Sequence, residues 1–449
     1  MAKLHSSEFT WLTFDEEGKV TREDVAALEK LVATLDLTDI VVMSHGWKNT
    51  EAEAEKLYGG LWKNAIGSYE VIADGQAEKT LVVGVIWPAK KYETDFDAKS
   101  PVSAATANAL AVHVGAAVKD LDEHAFGEVL KSFTDFIGPS AGGVVSAARE
   151  AGKGITANTA ADLVDEGIKA MGMRPAEADP ELKIYSTPCL NAAAQATNAQ
   201  ALLSGLAAPP GLRVSNTVGA AQGLQTSVSS LFSGARAAVG RFLNQLTYYE
   251  MKKRAGVVGK SLAIDVLQKL SPTSPMRLHL VGHSFGARVV TAAANEGLGN
   301  PSLAFYSLTL LQGAFSQNGL AGIFAPGLAG AFPNVVGKLQ GPIAITHTHN
   351  DRACTIAYAI ASRLSRDMTK SIGDKDDLYG AMGANGPQHL SETMVVTGNA
   401  YAPFAPKAKM VNTFLADGYI VETSNTDAHN NVANKTVGRL LAEVVTRKT

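Results

Sequence analysis

The chain has 449 residues, 46% hydrophobic and 18% charged, enough apolar material for one large domain or two to three ordinary ones. A formal net charge of -3 with no recurring Lys/Arg cluster argues against nucleic-acid binding. Two cysteines, Cys189 and Cys354, are too few for a disulfide framework or a metal cluster of the usual spacings, and both are read as reduced, buried thiols.

The opening residues lack a basic stretch followed by an apolar one, and no uninterrupted apolar span suits a membrane helix, so a cytoplasmic protein is expected, with export by a route lacking a cleavable signal left open. "FTWLTF" alternates at period two and predicts a strand. The helix "TREDVAALEKLVATL" follows, with Val25, Leu28, Leu31, Val32 and Leu35 on one face and a Thr21-x-x-Asp24 capping pattern at its start. "DIVVM" is a short continuous apolar run, as in a strand buried on both faces. After "SHGWKN" comes the helix "TEAEAEKLYGGLWKNAI", with a second capping box at Thr50 and Glu53, and then the strand "TLVVGVIWP", stopped by Pro88. Strands alternating with helices predict an α/β fold, a mostly parallel sheet with helices on both faces.

From 96 to 243 the alternation stops. This Ala/Gly/Ser/Thr-rich stretch holds helix-like pieces, "ANTAADLVDEGIKAMG" and "SVSSLFSGARAAVGRFLNQL", but no convincing buried strand. Between Ile184 and Ala235 the only charged side chain is Arg213, a pattern unlike a solvated helix face. The segment is read as a helical insertion, a cap between the core parts 1–95 and 244–449; a low-complexity linker and a surface facing a membrane or a partner are the alternatives.

The alternation resumes with the helix "TYYEMKKRAGVVGKSLAIDVLQKL", the strand "RLHLV" and the helix "ARVVTAAANE". "LAFYSLTLLQGA" and "PIAITHTH" are the next strands, and the uncharged stretch from Gly297 to Gly337 reads as a strand followed by a loop near a pocket. "GYIVET" is the last expected strand; the turn "SNTDAHN" and the helix "NNVANKTVGRLLAEVVTRK" follow it.

Between "RLHLV" and "ARVV" lies Gly282-His283-Ser284-Phe285-Gly286. With 42 glycines in the chain the Gly-x-Ser-x-Gly pattern alone is weak, but here a strand ends, a sharp turn intervenes and a helix begins at once. Gly282 and Gly286 leave out the Cβ atoms that would collide there, and Ser284 becomes a candidate nucleophile. A serine hydroxyl needs a base, and the base needs an orienting acid. Of ten histidines, His429 lies in a polar turn before the last helix and is the preferred base, with His389 as competitor. His279 and His283 are expected to point elsewhere, and His347 and His349 to pack around their strand. Asp351, at the end of "PIAITHTHN", is the preferred acid over Asp427 and over Asp374, Asp376 and Asp377. The backbone N–H of Phe285, and that of Trp47 after His45-Gly46, are the expected oxyanion donors.

These residues resemble the α/β-hydrolase superfamily: "VVMSHGW" for the oxyanion loop, "VIWP", "LVGHSFGARVV" for the nucleophile turn, "THTHNDRA" for the acid and "DAHNNV" for the histidine, in the order serine, acid, histidine. The set looks most like an uncharacterised bacterial branch of serine esterases and lipases. The resemblance covers about residues 37–95 and 244–447. It implies the α/β-hydrolase fold, a Ser284-Asp351-His429 triad and transfer of an acyl group to water, with no metal or organic cofactor required. The expected substrate is a small ester with an apolar acyl or aromatic group. Amide cleavage or acyl transfer by the same triad is one alternative, and a membrane- or partner-binding module or toxin acting through the insertion is another.

Overall fold

The computed structural model describes residues 2–46, 50–72, 76–89, 120–170, 182–184, 199–200, 203–204, 234–272, 274–297, 303–325, 328–351, 353–354, 380–424 and 426–446. In chain order the main elements are β1 (Ala2–Leu4), β2 (Ser7–Thr13), α1 (Arg22–Thr34), β3 (Asp39–Ser44), α2 (Glu51–Ile72) and β4 (Thr80–Ile86). The insertion contributes α3 (Glu123–Ile137), α4 (Ala141–Lys153), α5 (Ala157–Ala170) and β5 (Leu182–Ile184). Then come α6 (Ala235–Ser261), β6 (Met276–His283), α7 (Phe285–Glu296), β7 (Leu303–Leu311), β8 (Ile323–Ala325), β9 (Leu328–Gly330) and β10 (Ile343–His347). The short α8 (Met382–Asn385), β11 (Val395–Thr397), β12 (Val411–Leu415) and α9 (Lys435–Thr446) complete the set.

Nine strands form one sheet in the order β1-β2-β4-β3-β6-β7-β10-β12-β11, parallel throughout except for the edge pair β1/β2. The α/β expectation is met, with helices on both faces. The reason is visible within β3: Ile40 and Val42 enter one core with α1, α6 and α7, while Val41 and Met43 enter the other with α2 and α9. Strands buried on both faces read as unbroken apolar runs because neither set of alternate residues meets water.

The two capping patterns fare differently. Thr50 and Glu53 exchange hydrogen bonds as a capping box, the Thr50 N–H donating to Glu53 Oε2 at 2.8 Å and the Glu53 N–H to Thr50 Oγ1 at 3.3 Å. At α1, Thr21 caps without a side-chain bond to the helix, and Asp24 accepts from the Thr13 N–H at 2.8 Å. The carboxylate ties β2 to α1 instead of closing a box.

Helices α3, α4 and α5 share a small core with Val239, Phe242, Leu243 and Leu246 from the first half of α6. The second half of α6, including Met251, Ala255 and Val258, belongs to the sheet's own core. This 27-residue helix, about 40 Å long, runs across residue 243 and serves both cores. The insertion does hold a strand: β5 pairs antiparallel with β9, which pairs with β8 in a three-stranded sheet. Most of the low-charge stretch between Ile184 and Ala235, with Arg213 and Cys189, lies outside the described residues, as do Asp374, Asp376 and Asp377. Parts of the uncharged stretch after β7 are buried, with Phe315, Leu320, Phe332 and Val335 in the core and Ser316, Gln317 and Asn318 beside them, while Ile323 stands exposed. Among the described residues no helix is long and apolar enough to cross a membrane.

"GYIVET" is not a strand. The last core strand is β12, "VNTFL", after which Tyr419 and Ile420 donate their N–H groups back to Ala416 O in a tight turn. The last helix likewise begins at Lys435, capped by the Asn434 side chain, which accepts from the Val437 N–H at 3.0 Å. Residues 421–424 and 426–434 are therefore free of the ladder and the helix, and the latter carry His429 to Ser284 at the end of β6.

Candidate active site

Ser284 sits between β6 and α7 with φ 57° and ψ -122°, a left-handed conformation costly for a residue with a Cβ. The turn is held from both sides: the Ser284 N–H donates to Leu311 O at 3.1 Å, and its carbonyl accepts from the Ala287 and Ala314 N–H groups, each at 3.1 Å. A Cβ on Gly282 would strike the backbone of Gly286 and Ala287, and one on Gly286 would strike the carbonyls of Ser44 and His45. Both glycines thus fit the role expected from their spacing, allowing the end of β3 to pass against the turn.

The structure brings Ser284, His429 and Asp351 together. Ser284 Oγ lies 2.8 Å from His429 Nε2, and His429 Nδ1 lies 2.7 Å from Asp351 Oδ2. Since the carboxylate only accepts, Nδ1 carries the proton and Nε2 is left to receive one from the serine. Asp351 is fully buried, with its Oδ1 accepting from the Cys354 N–H at 2.9 Å and its Oδ2 from the Gln312 amide at 3.0 Å. Burial alone would raise this carboxyl. The His429 ring and these hydrogen bonds outweigh it and hold the group below the usual carboxylate range.

His45 and Gly46 lie directly over the serine. A Cβ on Gly46 would fall onto Ser284 Cβ and 2.9 Å from Oγ, so only glycine admits this approach. The buried His45 ring bonds through Nδ1 to Gly46 O at 2.9 Å, and its Nε2 accepts from the Trp87 N–H at 3.4 Å. The Trp87 indole N–H in turn donates to His45 O at 3.1 Å, and the two rings stack 11° from parallel. Burial drives the His45 pKa down to about 4, so the ring is neutral and can accept as well as donate. The expected Trp47 donor lies outside the described residues. Phe285, the other expected donor, is the first residue of α7, and its buried ring packs 4.9 Å from Tyr248.

His389 does not compete for the base position. Its Nδ1 bonds to Asn318 Oδ1 at 2.8 Å and its ring stacks on Phe324. Asp427 accepts from the Asn430 N–H at 2.9 Å, shaping the turn that holds His429.

Four supporting residues escaped the sequence reading. His283 does not point elsewhere: its Nε2 lies 2.8 Å from the His429 carbonyl, to which it donates. Burial, then the nearby His429 ring, lowers its pKa to about 3. Gln312, at φ 47°, braces Asp351, and the Cys354 thiol lies 3.9 Å from His429 Nδ1. Asp417 ties down the segment before Asp351, including His349, whose ring is exposed and bonds to Asp417 at 2.8 Å, whereas His347 is largely buried. Only His283 carried a signal in sequence, its place beside the serine; the others lie far from Ser284 along the chain. No protein-family model, curated protein or solved structure matches this chain.

Proposed function

We propose that this chain is a serine hydrolase of the α/β-hydrolase type that cleaves carboxylic esters. The observation carrying the reading is the continuous hydrogen-bond line from Ser284 through His429 to a buried Asp351, with the serine held at a strained strand-to-helix turn. The strand order supports it. The nucleophile strand β6 lies between β3, which leads to the His45-Gly46 loop, and β7, with β10 and β12 beyond to deliver the acid and the histidine.

In this reading Ser284 Oγ attacks the ester carbonyl while His429 Nε2 takes its proton. Asp351 stabilises the imidazolium that results without taking up the proton itself. The carbonyl oxygen becomes an oxyanion, and donation from the Phe285 N–H contributes on the order of a few kcal/mol. His429 returns the proton to the leaving alcohol, and the acyl group stays on Ser284. Water, deprotonated by His429, then releases the acid.

Fluorophosphonate labelling tests serine activation without requiring the natural substrate. Labelling of the wild type and none of Ser284→Ala is expected, followed by turnover of p-nitrophenyl esters of graded acyl length. Equal labelling of both proteins, or no labelling of either, would sink the proposal.

A further inference from the structure

Asp351, Cys354 and His429 bring a carboxylate oxygen, a thiol sulfur and an imidazole nitrogen within 4.8 Å of one another. His429 Nδ1 is common to the two close contacts, 2.7 Å from Asp351 Oδ2 and 3.9 Å from Cys354 Sγ. Tetrahedral zinc, with sulfur at about 2.3 Å and nitrogen or oxygen at about 2.1 Å, sets its nitrogen and oxygen ligands roughly 3.4 Å apart and its sulfur and nitrogen roughly 3.6 Å apart. Two of the trio's three pairs differ from that arrangement by roughly 0.7 Å and 0.3 Å, and the third, Asp351 with Cys354, lies within 4.8 Å. Beside them the Gln312 side chain, whose amide N–H donates to Asp351 Oδ2 at 3.0 Å, keeps a buried Oε1 with no hydrogen-bond partner among the described residues, a further oxygen that a cation could engage.

We propose that this trio is an inhibitory site for zinc, built into the acid–base pair of the triad. Binding follows from the ligands alone; the inhibition rests on the hydrolase reading. The Cys354 S–H bond breaks, its proton passes to solvent and a sulfur–zinc bond forms. The Nδ1 proton leaves and Nε2 gains one, so the ring stays neutral while the Nδ1 lone pair binds the metal. One proton is released in all. The ion's two positive charges then meet two anions, thiolate and carboxylate, so the buried group changes from a single negative charge to neutral, which a low-dielectric interior favours. With Nε2 protonated, His429 donates to Ser284 Oγ and no longer accepts from it, and the base is lost. A donor set with one thiolate and one imidazole selects zinc over magnesium or calcium. Because the thiol gives up its proton on binding, metal affinity rises with pH.

The test titrates metal-free protein with Co2+, whose thiolate complexes absorb in the near ultraviolet by charge transfer, with Zn2+ as competitor. Fluorophosphonate labelling is followed in parallel with and without Zn2+. The wild type and Cys189→Ala should show the band at one ion per chain, and Cys354→Ser and Cys354→Ala should lack it. Zn2+ should slow wild-type labelling, reversibly with EDTA, at a concentration more than roughly tenfold below that needed for Cys354→Ser, each compared with its own metal-free rate. A cadmium NMR resonance displaced by a single sulfur in the wild type gives the same answer without a variant. Absence of the band and of that resonance in the wild type, survival of the band in folded Cys354→Ser, or equal zinc sensitivity of the two proteins would overturn the site. Metal-free wild type that fails to label would instead remove the hydrolase reading, leaving the cobalt band to decide the metal site.

Discussion

His283 holds His429 by its backbone: Nε2 of the residue before Ser284 donates to the His429 carbonyl at 2.8 Å, with the two rings 5.0 Å apart. Because the His283 pKa lies near 3, this ring stays neutral when His429 becomes an imidazolium and adds no like-charge repulsion. His283→Phe keeps an aromatic ring but loses the donor. Its fluorophosphonate labelling rate should fall roughly tenfold, the scale of one lost hydrogen bond, with the ester KM unchanged. An unaltered rate in the folded variant would show that the bond does not position the base.

Gly46 and Ser284 are so close that any Cβ at 46 meets the Ser284 side chain. Gly46→Ala must push the His45-Gly46 segment away from Ser284. Loss of about 100-fold in kcat is expected, the scale of one oxyanion donor, while the melting temperature changes little. Wild-type turnover in this variant would mean that the loop does not serve the oxyanion.

The parallel sheet was legible because its strands are buried on both faces, which writes continuous apolar runs such as "DIVVM" into the chain. β12 was not. Its Asn412 interrupts the run, and only the fold shows that the buried amide is satisfied by Lys407 O, Met410 O and Ile343 O. "GYIVET" has the richer strand composition, yet the Tyr419 and Val421 carbonyls are taken by the Asn434 and Asn431 side chains. The grouping of Ser284, Asp351 and His429 could be read from local context, a serine at a strand-to-helix turn and an acid and a histidine at loop positions downstream. Gln312, the Cys354 thiol and Asp417 could not, because these side chains meet the site through contacts between segments distant in sequence.

Buried histidines set the acid limit of stability. The pKa of His45 and of His347 lies near 4 and that of His283 near 3, each lowered first by burial. In the unfolded chain these rings take up protons below about pH 6.5, whereas in the folded protein they refuse them until the lowered values are reached. The unfolded state therefore binds more protons, and stability present above pH 6.5 drains as pH falls toward 4, by about 1.4 kcal/mol per pH unit for each ring. Asp351, also lowered, adds to the loss below its unfolded value near 4. Melting temperatures measured from pH 7.5 to 4.5 should drop steadily, and His347→Gln should flatten the slope by about one ring's share. A flat profile in the wild type would contradict the neutral buried state of these rings.

Asp417 fixes the segment that delivers the acid. Its Oδ1 accepts from Thr348 Oγ1 at 2.7 Å and from the His349 N–H at 2.9 Å, and its carbonyl accepts from the Asn350 amide at 3.0 Å. Thr348, His349 and Asn350 immediately precede Asp351, so the turn after β12 sets where that carboxylate meets His429. Asp417→Ala releases the side-chain bonds while leaving a half-exposed position of little importance to the core. The Asp351–His429 bond should lengthen, giving the imidazolium less support and lowering the pKa of the base. The acid limb of the kcat/KM profile should therefore move to lower pH while its plateau falls roughly tenfold. Asp417→Asn, which keeps an acceptor for Thr348 and His349, should recover most of the plateau. A purely structural role would lower the melting temperature and leave the acid limb in place, and that outcome would separate Asp417 from the chemistry.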